Sequence, residues 1–253
     1  MKCSACGLLY LQERPDDETI SQAHKQGKHR GLKDLDVTGV FDACRIPKYL
    51  DVLEDIFKGE FGNKETWLDV GCGHGEFIAA VQQYSKGKID IRGTEPNIHK
   101  RTSAQERGLN VGYFDIEAHG DKYDLISLLN VYSHLPDPPA FLKSLKKLLN
   151  PGGEIVLETG DSADFTAKEQ YRPFYLPDHL SFASERIVTD ILKRLGFDVL
   201  SVNKYPYLSF SPKAVVKEIV KAVLPQYQSR IRYYAKWKRY SQTDMFIRAR
   251  IIS

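Results

Sequence analysis

From residue 66 onward the chain alternates short apolar runs with stretches of helical period, and this alternation limits the fold more than any other feature. Strands are expected at 66–70, 88–94, 109–114, 122–129 and 153–159, with helices at 75–85, 97–107 and 138–149 between them. Strand, helix, strand units of this length imply a parallel sheet covered on both faces, because right-handed crossovers place the helices there. Upstream, Ile46, Tyr49, Leu50, Leu53, Ile56 and Phe57 recur at helical spacing until Gly59 and Gly62 end the pattern. Downstream a helix is expected at 184–195, a strand at 197–202 and a last strand at 244–252. Asp137-Pro138 reads as a helix cap with proline at the first helical position, and Asn150-Pro151-Gly152-Gly153 as a stop and turn. Residues 1–45 carry scattered glycines and no sustained period, so they read as a small or partly mobile N-terminal segment ahead of one main domain, 46–253.

At 253 residues, 42% hydrophobic and 27% charged, the chain has ordinary globular composition. No apolar run reaches the roughly 18 residues of a membrane helix, and residues 1–11 lack a signal-peptide core, so a cytoplasmic location is expected. Four irregularly spaced cysteines, Cys3, Cys6, Cys44 and Cys72, do not make a disulfide framework. The net charge of +3 hides an asymmetry: Ser211 to Tyr240 holds eight Lys/Arg against Glu218 alone.

The first strand runs into "LDVGCGHGEF" at 68–77, which sets a glycine turn at the carboxyl edge of the sheet, where open α/β sheets bind ligands. The dinucleotide fingerprint would place its third glycine at 76, and Glu76 stands there; no Gly-Lys-Ser/Thr follows to make a phosphate loop. Asp69 and Glu76 would repel a pyrophosphate but attract a ligand carrying a sulfonium and an ammonium. Glu95, in "GTEPN" at the end of the second strand, suits a carboxylate accepting both ribose hydroxyls. A positively charged nucleoside without phosphates fits this loop best.

Taken in order, "LDVGCGHGEF", "GTEPN", "YFDIE", "YDLISLLNVYSHLPDP" and "LLNPGGEIVLET" resemble the class I S-adenosylmethionine-dependent methyltransferases over about residues 51–201. The resemblance implies a Rossmann-like, doubly wound α/β fold, a seven-stranded mostly parallel sheet with an antiparallel last strand, plus a short N-terminal extension. It implies S-adenosyl-L-methionine as cofactor. Asp69, Gly71 and Gly73 would hold its methionyl part, Gly75 would open the helix, and Glu95 would bind the ribose. Asp115 would meet the adenine amino group, and Asn130 would border the methionyl end. Gly75 could equally serve helix packing alone, and Asp115 could cap a turn.

"DPPAF" at 137–141 looks like the tetrad of nucleobase amino methylation, but it lies too late and lacks the aromatic in fourth place. More telling is "YRPFYLPDHLSFAS" at 171–184, in the connection that overhangs the acceptor side of such a sheet. His179 is the natural general base, with Asp178 or Tyr175 assisting, and His134 shapes the floor. The plainer reading has His179 only hydrogen-bonding the loop to the sheet. This stretch, with the Cys3-Ser4-Ala5-Cys6-Gly7 knuckle, resembles a bacterial subfamily that includes sugar C-methyltransferases. That subfamily carries two cysteine pairs and a sizeable C-terminal domain, whereas one pair stands here. His24 and His29 could complete a zinc set with Cys3 and Cys6, but the spacing is long for a finger; a remnant without metal is expected.

A basic helical insertion is expected at about 206–242. Val215, Val216, Ile219, Val220, Val223 and Leu224 form an amphipathic helix broken at Pro225, and aromatic residues then interleave with basic ones. This segment suits an anionic acceptor such as a nucleotide-linked or lipid-linked sugar. The leading expectation is methyl transfer to a small-molecule or glycan acceptor. A nucleic-acid methyltransferase or binding protein using 211–240, and a catalytically silent cofactor-binding scaffold, are the alternatives.

Overall fold

The computed structural model describes residues 1–29, 35–166, 178–205, 212–224 and 243–252. Seven strands form one sheet: β1 (Thr66–Val70), β2 (Asp90–Thr94), β3 (Val111–Gly112), β4 (Tyr123–Leu129), β5 (Leu149–Gly160), β6 (Phe197–Tyr205) and β7 (Asp244–Ile251). Their spatial order is β3-β2-β1-β4-β5-β7-β6. Strands β1 to β5 pair in parallel, while β7 slots between β5 and β6 antiparallel to both. This is the doubly wound, mostly parallel sheet with an antiparallel last strand expected from the sequence.

The central strands are buried on both faces, and the period of two divides their side chains between two cores. Leu68, Val70, Ile126, Leu128, Ile155 and Leu157 pack on one face, beneath α5 (Pro138–Lys147) and α6 (Glu185–Arg194). Trp67, Leu125, Val156 and Phe246 pack on the other, beneath α2 (Arg45–Phe57) and α3 (Glu76–Ser85). Beside the sheet edge, α4 (Ile98–Glu106) is capped by Asn97, whose side chain accepts from the amides of His99 and Lys100.

Two expected boundaries shift. The third strand shrinks to Val111–Gly112, a short edge that offers little backbone for stray pairing. The 150–153 turn is absorbed into β5, which starts at Leu149; Leu149 pairs with Tyr123, the register then slips, and Gly152 (φ +72°) takes up the irregularity. Asp137 caps α5 by accepting from the Ala140 amide at 3.0 Å, with Pro138 at the first position as expected.

Residues 1–45 contain elements that hydrophobic period did not disclose. Helix α1 (Asp17–Gln26) is defined by its ends: Asp16 accepts from the Thr19 amide, Asp17 and Glu18 occupy the first turn, and Gly27 closes it at φ +69°. Leu9–Tyr10 pairs with Ser181–Phe182, and Lys28–His29 pairs with Leu35–Asp36. The N-terminal segment is thereby hydrogen-bonded to the connection after β5. In the basic segment, α7 spans Pro212–Val223; Val216, Ile219, Val220 and Val223 on it are exposed and Glu218 is buried. The aromatic and basic stretch 227–240 lies outside the described residues. Among the described residues no helix is long and apolar enough to cross a membrane.

Candidate functional site

The chain leaves β1 toward β2 and β3 on one side and returns to β4 on the other, so a crevice opens at the carboxyl ends of β1 and β4. The glycine loop 71–75 lies there. The amides of Gly71 and Cys72 donate to the Thr94 carbonyl, which ties the loop to the end of β2. The Gly73 amide donates to Glu95 Oε2 at 2.8 Å, and Glu95 Oε1 accepts from the Asn97 amide at 2.8 Å. Glu95 is thus buried and locked in one rotamer, with each oxygen retaining a lone pair for a ligand hydroxyl. No atom lies within 4 Å of where a Cβ on Gly73 would stand, so the cradle is open at that point. Gly75 is different: its φ is +91° and an added Cβ would fall 2.2 Å from Leu109 Cδ1. Gly75→Ala should cost about 2 to 4 kcal/mol of stability, from left-handed strain plus overpacking, measurable as a drop in the urea midpoint.

Asp69 is wholly enclosed. On the sheet it stands in register between Gly93 and Ser127; Trp67 Nε1 donates to Ser127 Oγ at 2.9 Å, and Ser127 Oγ donates to Asp69 Oδ1 at 2.5 Å. Burial raises its carboxyl to about 7; the Ser127 hydrogen bond opposes this, and the nearby Glu95 and Glu76 carboxylates add to the rise. Glu76 Oε1 accepts from the Asp42 amide, and His74 bridges Ser103 Oγ and the Thr38 carbonyl, both at 2.9 Å. These bonds hold 38–42 against the loop, a role the sequence reading did not assign to either residue. Carboxylates and backbone amides, with no lysine or arginine on the loop, form a donor set that fits a cationic nucleoside and opposes a phosphate.

Asp115 is exposed and accepts from the Glu117 amide at 2.9 Å, so it caps a turn just past β3. Asn130, just past β4, is exposed with φ +58°. Its left-handed backbone turns the chain from the strand into Val131 and the short helical turn Tyr132–His134.

That turn carries His134 toward the second group of predicted residues. His134 Nδ1 lies 2.8 Å from the Asp178 carbonyl oxygen and 3.1 Å from Asp178 Oδ1, and its ring centroid is 4.7 Å from that of His179. The Leu180 amide donates to the Ser133 carbonyl at 2.7 Å, fixing this connection over the end of β4. Two histidines of the N-terminal segment join them. His29 Nε2 stands 3.1 Å from Asp178 Oδ1, and the His24 ring lies 5.6 Å from His29 and 6.3 Å from His134. Burial pushes His24 and His179 down to about 4, aided in each by the neighbouring His134. Burial opposes the charge of Asp178, but His134, His29 and His179 outweigh it and hold that carboxyl at about 2. Near neutral pH Asp178 is therefore a carboxylate, and His24 and His179 are neutral. Tyr175, Tyr171 and Arg172 lie outside the described residues. Nothing in the local pattern around His24 or His29 points to Asp178; only the fold brings them together.

Comparison with known proteins agrees with this geometry. The family described as a methyltransferase domain matches residues 41–202, more than half of the chain. The ubiquinone biosynthesis O-methyltransferase of Erwinia tasmaniensis is 32% identical over 120 residues, covering 45% of this chain and 49% of the relative. That of Actinobacillus pleuropneumoniae serotype 7 is 34% identical over 140 residues, covering 49% and 58%. The chain thus spans about half the length of the curated relatives it matches. In fold it is similar to geranyl diphosphate C-methyltransferase from Streptomyces coelicolor A3(2), solved in complex with Mg2+, geranyl diphosphate and S-adenosyl-L-homocysteine. The TM-score is 0.60 at 12% identity, covering 81% of this chain and 79% of that one. With a methyltransferase domain matched over residues 41–202 and a loop suited to a cationic nucleoside, the chain belongs to the class I S-adenosylmethionine-dependent methyltransferases.

Proposed function

We propose that the protein transfers a methyl group from S-adenosyl-L-methionine to an oxygen of a small-molecule acceptor bound against the Asp178–His179 cluster. When bound, the cofactor supplies an activated methyl group on a sulfonium. Asp69, Gly71 and Gly73 hold its methionyl part, Glu95 takes the ribose hydroxyls, Asp115 meets the adenine, and Asn130 borders the methionyl end. Gly75 opens the helix behind them. Asp178 and His179, with Tyr175 assisting, meet the acceptor and deal with its proton. Because the sulfonium is already a good leaving group, positioning the oxygen in line with it supplies most of the rate.

The observation that carries this reading is that the enclosed carboxyls of Asp69, near the end of β1, and Glu95, just past β2, stand at the carboxyl edge of the parallel strands, and that the Asp178–His179 cluster is tied to the same edge through Ser133. Oxygen as the accepting atom is supported by the names of the relatives, both O-methyltransferases. An anionic acceptor, such as a nucleotide-linked or lipid-linked sugar, is supported by the eight basic residues of 211–240. We divide the chain into an N-terminal segment, 1–45, and a methyltransferase domain, 46–253, with the basic insertion at about 206–242.

Incubation with S-adenosylmethionine and a panel of hydroxylated acceptors, anionic sugars included, should give a mass gain of one methyl group on at least one acceptor. Methylation confined to RNA would favour the nucleic-acid reading instead. Glu95→Ala should weaken S-adenosylhomocysteine binding by about 1.5 to 3 kcal/mol, the range for hydrogen bonds to a charged group. Unchanged calorimetric affinity would remove Glu95 from the cofactor site.

A further inference from the structure

We propose that His134, Asp178 and His179, joined by His29 from the N-terminal segment, bind one divalent first-row transition-metal ion. This rests on the reading of the cluster as the acceptor site and refines it. Bound there, the ion would meet the acceptor oxygen and lower the pKa of its hydroxyl, taking over the proton handling of Asp178 and His179, which become its ligands.

The donor atoms of His134, Asp178 and His179 are gathered within 4.8 Å of one another, with His29 Nε2 3.1 Å from Asp178. Imidazole nitrogens and carboxylate oxygens bound at 2.0 to 2.2 Å to one ion stand about 3 to 3.5 Å apart. Asp178 Oδ1 stands 3.1 Å from His29 Nε2 and 3.1 Å from His134 Nδ1; Nδ1 donates to the Asp178 carbonyl at 2.8 Å, which leaves Nε2 as the His134 nitrogen with a lone pair for an ion. A second observation is independent of that spacing. His29 is 4% exposed, and its Nε2 makes no hydrogen bond although Asp178 Oδ1 is so close. A buried ring nitrogen left so beside a carboxylate carries an unrecovered desolvation cost, and a cation shared by the two atoms would remove it.

The donors also select the ligand. Two or three imidazoles and one carboxylate suit zinc, iron(II), cobalt or manganese, and contain too few oxygens for calcium or magnesium. The four residues come from three separate stretches: the strand after α1, the turn after β4, and the connection ahead of Ser181–Phe182. An ion there would fasten the N-terminal segment over the acceptor side.

The test uses tag-free protein of residues 1–253, stripped with EDTA and titrated calorimetrically with Zn2+ and with Co2+, with S-adenosylhomocysteine titrated in parallel. One equivalent of either ion should bind with micromolar or tighter affinity. The affinity should fall at least 100-fold in His134→Gln and His29→Gln and be retained in the Cys3→Ser, Cys6→Ser double variant. X-ray absorption of the zinc-loaded wild type should show nitrogen and oxygen scatterers with imidazole signatures, a readout that needs no variant to fold. No binding of either ion, a sulfur scatterer, or affinity kept in both histidine variants would overturn the proposal. Metal binding absent while S-adenosylhomocysteine binds and chelated protein methylates would sink the metal site alone; absent S-adenosylhomocysteine binding would sink the methyltransferase reading.

Discussion

Replacing His179 by alanine should lower kcat about 100-fold or more and leave the affinity for S-adenosylhomocysteine unchanged. The separation follows from structure: His179 contacts His134 and Phe182, with ring centroids at 4.7 and 5.8 Å, whereas the loop proposed to cradle the cofactor is held by Glu95 and Thr94. A residue that only docks its loop would, on removal, loosen the 178–184 connection and raise KM or lower stability, leaving the turnover of bound acceptor near normal. Single-turnover measurement at saturating acceptor distinguishes the two. A fully active variant would remove His179 from the mechanism.

Asp69→Asn should bind S-adenosylhomocysteine about 10- to 100-fold more weakly, the loss of a charged hydrogen bond, yet be more stable than the wild type without ligand above pH 7. The sign follows from linkage. The folded carboxyl titrates at about 7 against 3.8 when unconstrained, so the folded state holds a proton that the unfolded state has released between those values. Stability contributed by the protonated group is fully present below about 4 and is lost as pH rises through about 7. At roughly 1.4 kcal/mol per unit, the cost of keeping Asp69 ionised reaches about 4 kcal/mol, of which asparagine recovers a part. On the proposed role, in which the ionised carboxylate meets the cofactor's ammonium, wild-type affinity should rise between pH 6 and 8 and stay flat in the variant. Equal affinities at pH 8 would take Asp69 out of the site; an apo stability independent of pH between 4 and 7 would contradict its enclosure.

Much of the proposed cofactor side was legible in the chain because it is written in short-range features. Strand period places Asp69 and Glu95 at strand ends, and the glycines between them mark a turn that side chains would block. The acceptor side was less so. Asp178 and His179 stood out by residue type, but the sequence expectation of His179 as a base near working pH took no account of burial, which lowers it to about 4. Helix α1 escaped because its signal lies in its caps, Asp16 and Gly27, and not in an apolar stripe; Ile20 is its one buried residue.

The sequence by itself determined the class of fold, the order of its parallel strands and helices, and the residues of the glycine loop, since each depends on neighbours a few positions apart. Tertiary structure decided what surrounds those residues. It put β7 between β5 and β6, enclosed Asp69 with Ser127 and raised its carboxyl, and brought His29, His134 and Asp178 within 3.1 Å contacts across about 150 residues of chain. Local periodicity carries no information about such closures. They arise when amphipathic elements bury their apolar faces together, and polar groups far apart in the chain are carried into one enclosed site.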